Sequence, residues 1–350
     1  MTGRSLLAIA VALLCVSPLQ AQLPQARITS VFPPGGQRGT TVDVVVGGGS
    51  DLDELDAMTF SHPEITAVAK RDANNNPVAN TFTVSIGANV PAGLYDVRVK
   101  GLFGISNPRI FRVDSLVEAA EVEPNNAVAQ ATPVALESVV SARANAATDV
   151  DYFRIPVKAG QTLVVRSEAA RLDSPMQPLL QLFNAAGRRV AESRRVFSQE
   201  ASLTHSVTAD EEFVLRVQDA VYGGGDQFVY RLACDTRPLV DWVDPGFVSA
   251  TSPAKVFVYG RHLPGGEATD LNLSGQPIFR LATDIVPDAA GRLTGAAATA
   301  AFASSFWWNG IDGNLLRVGT APQAATAEDP AAAEQVIALP AEIAGRFAER

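Results

Sequence analysis

"DVDYFRIPVKAGQTLVV", residues 149–165, holds the reading on which the fold turns. "YFRIPV" (residues 152–157) and "TLVVRSE" (residues 162–168) are short, β-branched and alternating, and "KAGQ" between them is turn chemistry. The same grammar recurs in "TVDVVV" (41–46), "TFTVSI" (81–86), "YDVRVK" (95–100), "IFRV" (110–113), "LLQLF" (179–183), "EFVLRVQD" (212–219) and "FVYRLA" (228–233). "PAGL", "NAAG" and "YGGGD" separate them. Short strands spaced by Gly, Pro and Asn turns predict antiparallel sandwiches with one buried face per sheet. No convincing amphipathic helix is legible; "AAATAAFASSF" (296–306) comes nearest, on Ala richness alone. The stretch from Gly265 to about Ala333 is the least readable.

The chain has 350 residues, 47% hydrophobic and 19% charged, enough to bury two or three separate cores. Its formal charge of −9 argues against nucleic acid and anionic membrane surfaces as partners, since phosphate binding needs clustered Lys and Arg. Residues 1–21 read as an export signal: Arg4 supplies the positive start, "LLAIAVALLCV" (6–16) is the apolar run, and "LQAQ" fits cleavage after Ala21. A lipid anchor on Cys15 is disfavoured by the bulky Leu14 before it. The predicted location is secreted, periplasmic or at the cell surface, with no transmembrane segment after signal removal. Beyond the signal the sequence has one cysteine, Cys234, so neither an internal disulfide nor a Cys/His zinc cluster is expected.

"ITSVFPPGGQRGTTVDVVVGGG" from Ile28 and "LVDWVDPGFVSATSPAKVFVYGRHLPGG" from Leu239 are copies at a constant shift of 212 residues, since 243 − 31 and 258 − 46 both give it: Val31 falls on Val243, Pro33 on Pro245, Val44 on Val256, Val46 on Val258 and Gly48 on Gly260. A weaker match at a shift of 203 (343 − 140) sets "ATPVALESVVSAR" (131–143) on "EQVIALPAEIAGR" (334–346), through Ala135/Ala338, Leu136/Leu339, Val140/Ile343 and Arg143/Arg346. Self-similarity at such spacing marks a modular array. The expected units are residues 27–114, 118–236 and 238–325, with residues 326–350 opening a second copy of the middle unit, as in the front of a longer product.

Two acidic clusters border one segment of the middle unit. Glu121 and Glu123 are two apart and so share a face of an extended strand, with Pro124 stiffening the turn and Asn125 and Asn126 adding amide oxygens. Asp149 and Asp151 join them if the first strand closes beside the loop before Tyr152. Calcium, a hard ion taking six to eight oxygens, fits such a set. The alternative is a solvated linker whose Asn and Asp side chains cap turns.

"EVEPNN", "DVDYFRIPVKAGQTLVV", "PLLQLFNAAGRRVAES" and "FVLRVQDAVYGGGDQFVYRL" together make residues 121–234 resemble a bacterial pre-peptidase C-terminal domain. That family is a jelly-roll-like β-sandwich, found as an accessory module in secreted proteases and other exported bacterial proteins. The flanking copies resemble IPT/TIG domains, which have an immunoglobulin-like fold; the likeness covers residues 27–113 and fades after Gly265. In calcium-binding relatives from secreted collagenases the matching acidic positions coordinate calcium, so the resemblance implies that role for Glu121, Glu123, Asn125, Asn126, Asp149 and Asp151. The chain departs from the family at Arg194 and Arg195, where many members carry an acidic pair.

Catalytic signatures are missing. His62, His205 and His262 lie in different units; the first and third read as surface loop residues and His205 as a solvent-facing strand residue. No G-x-S-x-G elbow, HExxH helix or phosphate loop occurs, and "VGGGS" (46–50) and "YGGGD" (222–226) read as turns. Trp307 and Trp308, near Phe302 and Phe306, are a candidate sugar-stacking platform, weighed against the commoner role of large rings as core anchors.

The sequence therefore predicts an all-β protein of tandem β-sandwich domains, Ig-like and jelly-roll-like. Its expected role is an exported, non-catalytic adhesive or scaffold with an extracellular protein or polysaccharide as partner. Two rivals stand: the accessory region of a secreted peptidase or other hydrolase whose catalytic domain lies outside this chain, and a carbohydrate-binding module at Trp307 and Trp308.

Overall fold

The computed structural model describes residues 23–194, 200–249, 254–273, 275–285, 304–308, 316–321, 324–326 and 342–344. The export-signal reading of residues 1–21 lies outside them, as does most of the expected repeat at 326–350.

The first unit contains β1 (Arg27–Phe32), β2 (Gly35–Gln37), β3 (Thr41–Ser50), β4 (Ala57–Phe60), β5 (Ile65–Arg71), β6 (Pro77–Ile86), β7 (Gly93–Gly101), β8 (Gly104–Ile105) and β9 (Arg109–Asp114). They form two sheets, ordered β1-β3-β6-β5 and β2-β9-β7-β4, with β8 on the edge of β7. Alternation makes the core: Val44 and Val46 of β3 and Phe82 and Val84 of β6 turn inward against Val97 and Val99 of β7 and Phe111 of β9. Each such side chain contributes roughly 1.5–3 kcal/mol by leaving water.

The middle unit contains β10 (Val117–Ala120), β11 (Thr132–Pro133), β12 (Ser138–Arg143), β13 (Val150–Val157), β14 (Thr162–Glu168), β15 (Pro178–Phe183), β16 (Arg189–Arg194), β17 (Ser202–Ser206), β18 (Glu211–Asp219) and β19 (Val229–Asp235). Its sheets run β10-β12-β19-β14-β17 and β11-β13-β18-β15-β16. Phe153, Ile155, Leu163, Val165, Phe213 and Leu232 fill the space between them. Cys234 is a free, buried thiol of that core.

The third unit contains β20 (Leu239–Asp244), β21 (Phe247–Ser249), β22 (Ala254–Arg261), β23 (Glu267–Leu273), β24 (Gln276–Ile285), β25 (Ser304–Trp308) and β26 (Leu316–Ala321), followed by β27 (Ala324–Thr326) and β28 (Glu342–Ala344). The order β20-β22-β24-β23 repeats β1-β3-β6-β5, and β21-β26-β25 repeats β2-β9-β7. Register repeats too: Val31 pairs with Val46, and Val243, 212 residues on, pairs with Val258. The second face of each copy opens with the same parallel pairing, β2 on β9 and β21 on β26. Ile343, the residue matched to Val140, lies in a parallel pair, β27 with β28, and Val140 lies in one as well, β12 with β10. Among the described residues there is no α-helix, and Ser304–Phe306, at the end of the Ala-rich stretch, belong to β25.

Buried charge joins the units. Arg231 of β19, 1% exposed, pairs with Glu118 at 2.7 Å and Glu168 at 3.0 Å. Arg112 of the first unit approaches the same Glu168 at 3.4 Å and pairs with Asp114 at 3.1 Å. Burial raises the Asp114 carboxyl, but Arg112 and Arg231 more than offset it and hold it at about 2. Gly35 is glycine for want of room: a Cβ would sit 2.4 Å from the Arg112 carbonyl oxygen and 2.9 Å from Arg231 Nε. On the far side, Arg261 of β22 pairs with Asp241 at 2.8 Å and donates to Ser202 Oγ at 2.7 Å.

Candidate metal centre

Strand pairing places the first acidic group. β10 runs parallel to β12, and the pairing continues one step to Glu121, whose N–H donates to Ser141 O at 3.0 Å. Glu121 Oε1 then accepts the Arg143 N–H at 2.7 Å. The chain turns across the cis Glu123–Pro124 peptide, and Asn125, fully buried, anchors the turn by accepting the Tyr152 N–H at its carbonyl, 3.0 Å away. Asp151 is an inward position of β13, 1% exposed, and accepts a hydrogen bond from Tyr230 Oη.

One oxygen each of Glu121, Glu123 and Asp151 lies within 4.8 Å of the others. Three carboxylates at that spacing repel unless protonated or bridged by a cation. Burial, then the Asp151 and Glu123 charges, push Glu121 up to about 9. Burial likewise leads for Asp151, with Asp149 and Glu123 adding to it and the Tyr230 hydroxyl opposing, and its carboxyl rises to about 7. Asn125 presents one side-chain amide atom 3.1 Å from both Asp151 Oδ1 and Glu123 Oε2; as nitrogen it donates to both. Rotated by half a turn, the same amide would offer its oxygen to whatever the carboxylates hold.

The structure thus brings Glu121, Glu123, Asn125 and Asp151 together. Asp149 adjoins them with its carboxylate engaged, accepting the Asn145 N–H at 2.6 Å and the Val150 N–H at 3.1 Å. Asn126 is exposed and makes no side-chain hydrogen bond among the described residues. Two contributors escape sequence reasoning. Asn145 Nδ2 donates to Glu123 Oε1 and so ties the two loops, and Tyr230, an alternating strand residue that reads as core, sends its hydroxyl to Asp151. The "YGGGD" turn supports the loop beneath: a Cβ on Gly224 would lie 1.9 Å from Ala146 O, and Thr148 N–H donates to Tyr222 O at 3.2 Å.

The histidines are less separate than their spacing suggests. His205 and His262 line one cleft of about 650 Å³ between the middle and third units, with Thr162, Gln276, Pro277 and Phe279. His205 is half-buried against Phe213, ring centroids 5.2 Å apart, and burial lowers its pKa; it is not the solvent-facing residue its strand pattern suggests. The residues lining the cleft include no carboxylate to orient an imidazole. Trp307 and Trp308 are consecutive positions of β25, opposite Arg317 and Leu316.

No known family matches the chain, and no curated protein matches it. Among solved structures it is similar to the pre-peptidase C-terminal domain of a Bacillus anthracis collagenase, at 11% identity over 33% of this chain and 95% of that one, TM-score 0.25. It is similar also to PliG of Aeromonas hydrophila, a periplasmic inhibitor of g-type lysozyme, at 12% identity over 34% of this chain and 97% of that one, TM-score 0.24. A third similarity is to SGBP-B of a Bacteroides ovatus mixed-linkage glucan utilization locus, at 12% identity over 60% of this chain and 74% of that one, TM-score 0.21. None of these overlaps carries a residue role over to this chain. No helix among the described residues is long and apolar enough to cross a membrane.

Proposed function

We propose that the chain is a non-catalytic, modular binding protein of the exported or cell-surface class, whose middle sandwich holds calcium between its opening loop and β13. The observation that carries the cation is the convergence of Glu121, Glu123 and Asp151 within 4.8 Å, with no basic side chain among their hydrogen-bond partners in the described residues. The donor set is all oxygen, which suits a hard divalent ion and not a thiolate- or imidazole-seeking one. Calcium would neutralise the like charges and take the Asn125 amide oxygen as a further ligand. Its binding would fasten residues 121–126, which follow the link to the first unit, to the body of the second. Stiffening a junction is what a spacer or scaffold requires, and it needs no reacting group. Isothermal titration of the full chain with calcium tests the reading. Wild type is expected to bind one equivalent and Asp151→Asn to lose most of the heat; the absence of any heat or thermal shift in wild type refutes the calcium site.

A further inference from the structure

The outer face of the sheet β11-β13-β18-β15-β16 carries a feature the cation site does not use. Strand register fixes which residues share it: Tyr152 lies opposite Arg216, Arg216 opposite Gln181 and Gln181 opposite Glu192. On one side of that row Gln218 and Leu179 lead to Arg194; on the other Arg154 leads through Val214 and Phe183 to Arg189. Arg194, Arg216 and Arg154 therefore run diagonally across the face, on strands about 5 Å apart and rows about 7 Å apart.

This is a positive island on an acidic chain. The face holds Arg154, Arg189, Arg194 and Arg216 against Glu192 and Glu212, four against two, where the whole sequence has 28 basic and 37 acidic residues. Glu192 is already occupied, by Arg189 and by Gln181 at 2.7 Å. The guanidinium groups of Arg154 and Arg194 have no hydrogen-bond or ion-pair partner among the described residues. Arg216 gives Nη1 to Gln181 at 2.8 Å, yet its buried Nε has no partner, and neither has Oε1 of Gln218, a side chain 6% exposed.

We propose that this face binds a polysaccharide bearing carboxylates, a uronate polymer. Guanidinium forks match carboxylates in two-point geometry, and Tyr152 and Phe183, half-buried on either side of the diagonal, offer flat apolar surface to sugar C–H faces. An acidic peptide suits the face less well. The backbone groups of the central strands are spent in the ladder, so a peptide laid across it would find few partners for its own amides. A pyranose chain brings only hydroxyls and carboxylates.

The inference rests on the reading of the chain as a binding protein and is independent of calcium, so its test is run in chelator. Full-length chain is titrated with polygalacturonate oligomers at low ionic strength in EDTA, with dextran and polyglutamate as comparisons. Expected is saturable binding to polygalacturonate, weakened by salt, and reduced about tenfold or more in Arg154→Gln/Arg194→Gln at unchanged melting temperature. No binding by wild type, equal binding by the double variant, or equal binding of dextran overturns the assignment; polyglutamate binding as tightly as polygalacturonate overturns the sugar class.

Discussion

Asp151 shows how one side chain can be costly and useful together. Its inward position on β13 buries a charge beside two others, and Tyr230 alone among its neighbours gives it a hydroxyl. Folded carboxyls raised to about 7 and about 9, from ordinary values of 3.8 and 4.5, bind protons more tightly than their unfolded counterparts. Their contribution to stability is therefore fully present below about pH 4 and is lost as pH rises through 7 and 9. In EDTA the melting temperature should fall by several degrees between pH 6 and pH 9, at roughly 4 °C per kcal/mol for a unit of this size. Calcium should restore it at pH 8 and do less at pH 5, where protons compete. Asp151→Asn in EDTA at pH 8 should melt higher than wild type, because the charge that needed a cation is gone. A lower melting temperature there contradicts this electrostatic account.

At the scale of elements, the strands were legible and the meeting of loops was not. Alternation in "TVDVVV" and "YFRIPV" predicts inward Val44, Val46, Phe153 and Ile155, and those residues are core. The 212-residue shift predicts equivalent strands, and Val31/Val46 and Val243/Val258 pair in the same register. Periodicity cannot reveal which loops face each other across a sandwich. Asn145 and Tyr230 reach the acidic cluster only because β12, β13 and β19 end at one rim, a consequence of sheet order and not of local composition. "EATDLNLSGQPIFRLATDI" (267–285) was obscure because its polar residues dilute the alternation that β23 and β24 keep by pairing with each other. The "YGGGD" turn reads correctly as a turn, but its purpose is steric. Gly224→Ala puts a methyl into the Ala146 carbonyl, so it should push the 146–149 loop outward, destabilise by about 1–3 kcal/mol and weaken the calcium response. Unchanged melting and unchanged calcium binding would show that the turn does not hold the loop.

Across the whole molecule, related units differ in how they are joined. The first and middle units meet over a buried ionic cluster centred on Arg231, which leaves little of any partner's charge in water. The middle and third meet through Arg261, Ser202 and a hydrogen-bonded Gln276–Thr204 pair, beside the open cleft of His205 and His262. Both junctions bury an arginine, Arg231 at 1% and Arg261 at 3% exposure, and truncating either is far costlier than losing a rim hydrogen bond; the first gathers the larger set of paired carboxylates, Glu118, Glu168 and Asp114. The proposed calcium lies at that junction's edge, its first ligand Glu121 directly following β10 and three residues past Glu118 of the Glu118–Arg231 pair. Terbium luminescence locates the ion most directly, since Tyr230 touches the proposed ligand Asp151. Tyrosine-sensitised emission that calcium displaces, and that Tyr230→Phe diminishes while calcium heat persists, is the predicted result. Emission unaffected by Asp151→Asn, or calcium binding with no loss of terbium signal, would place the ion elsewhere and contradict the account.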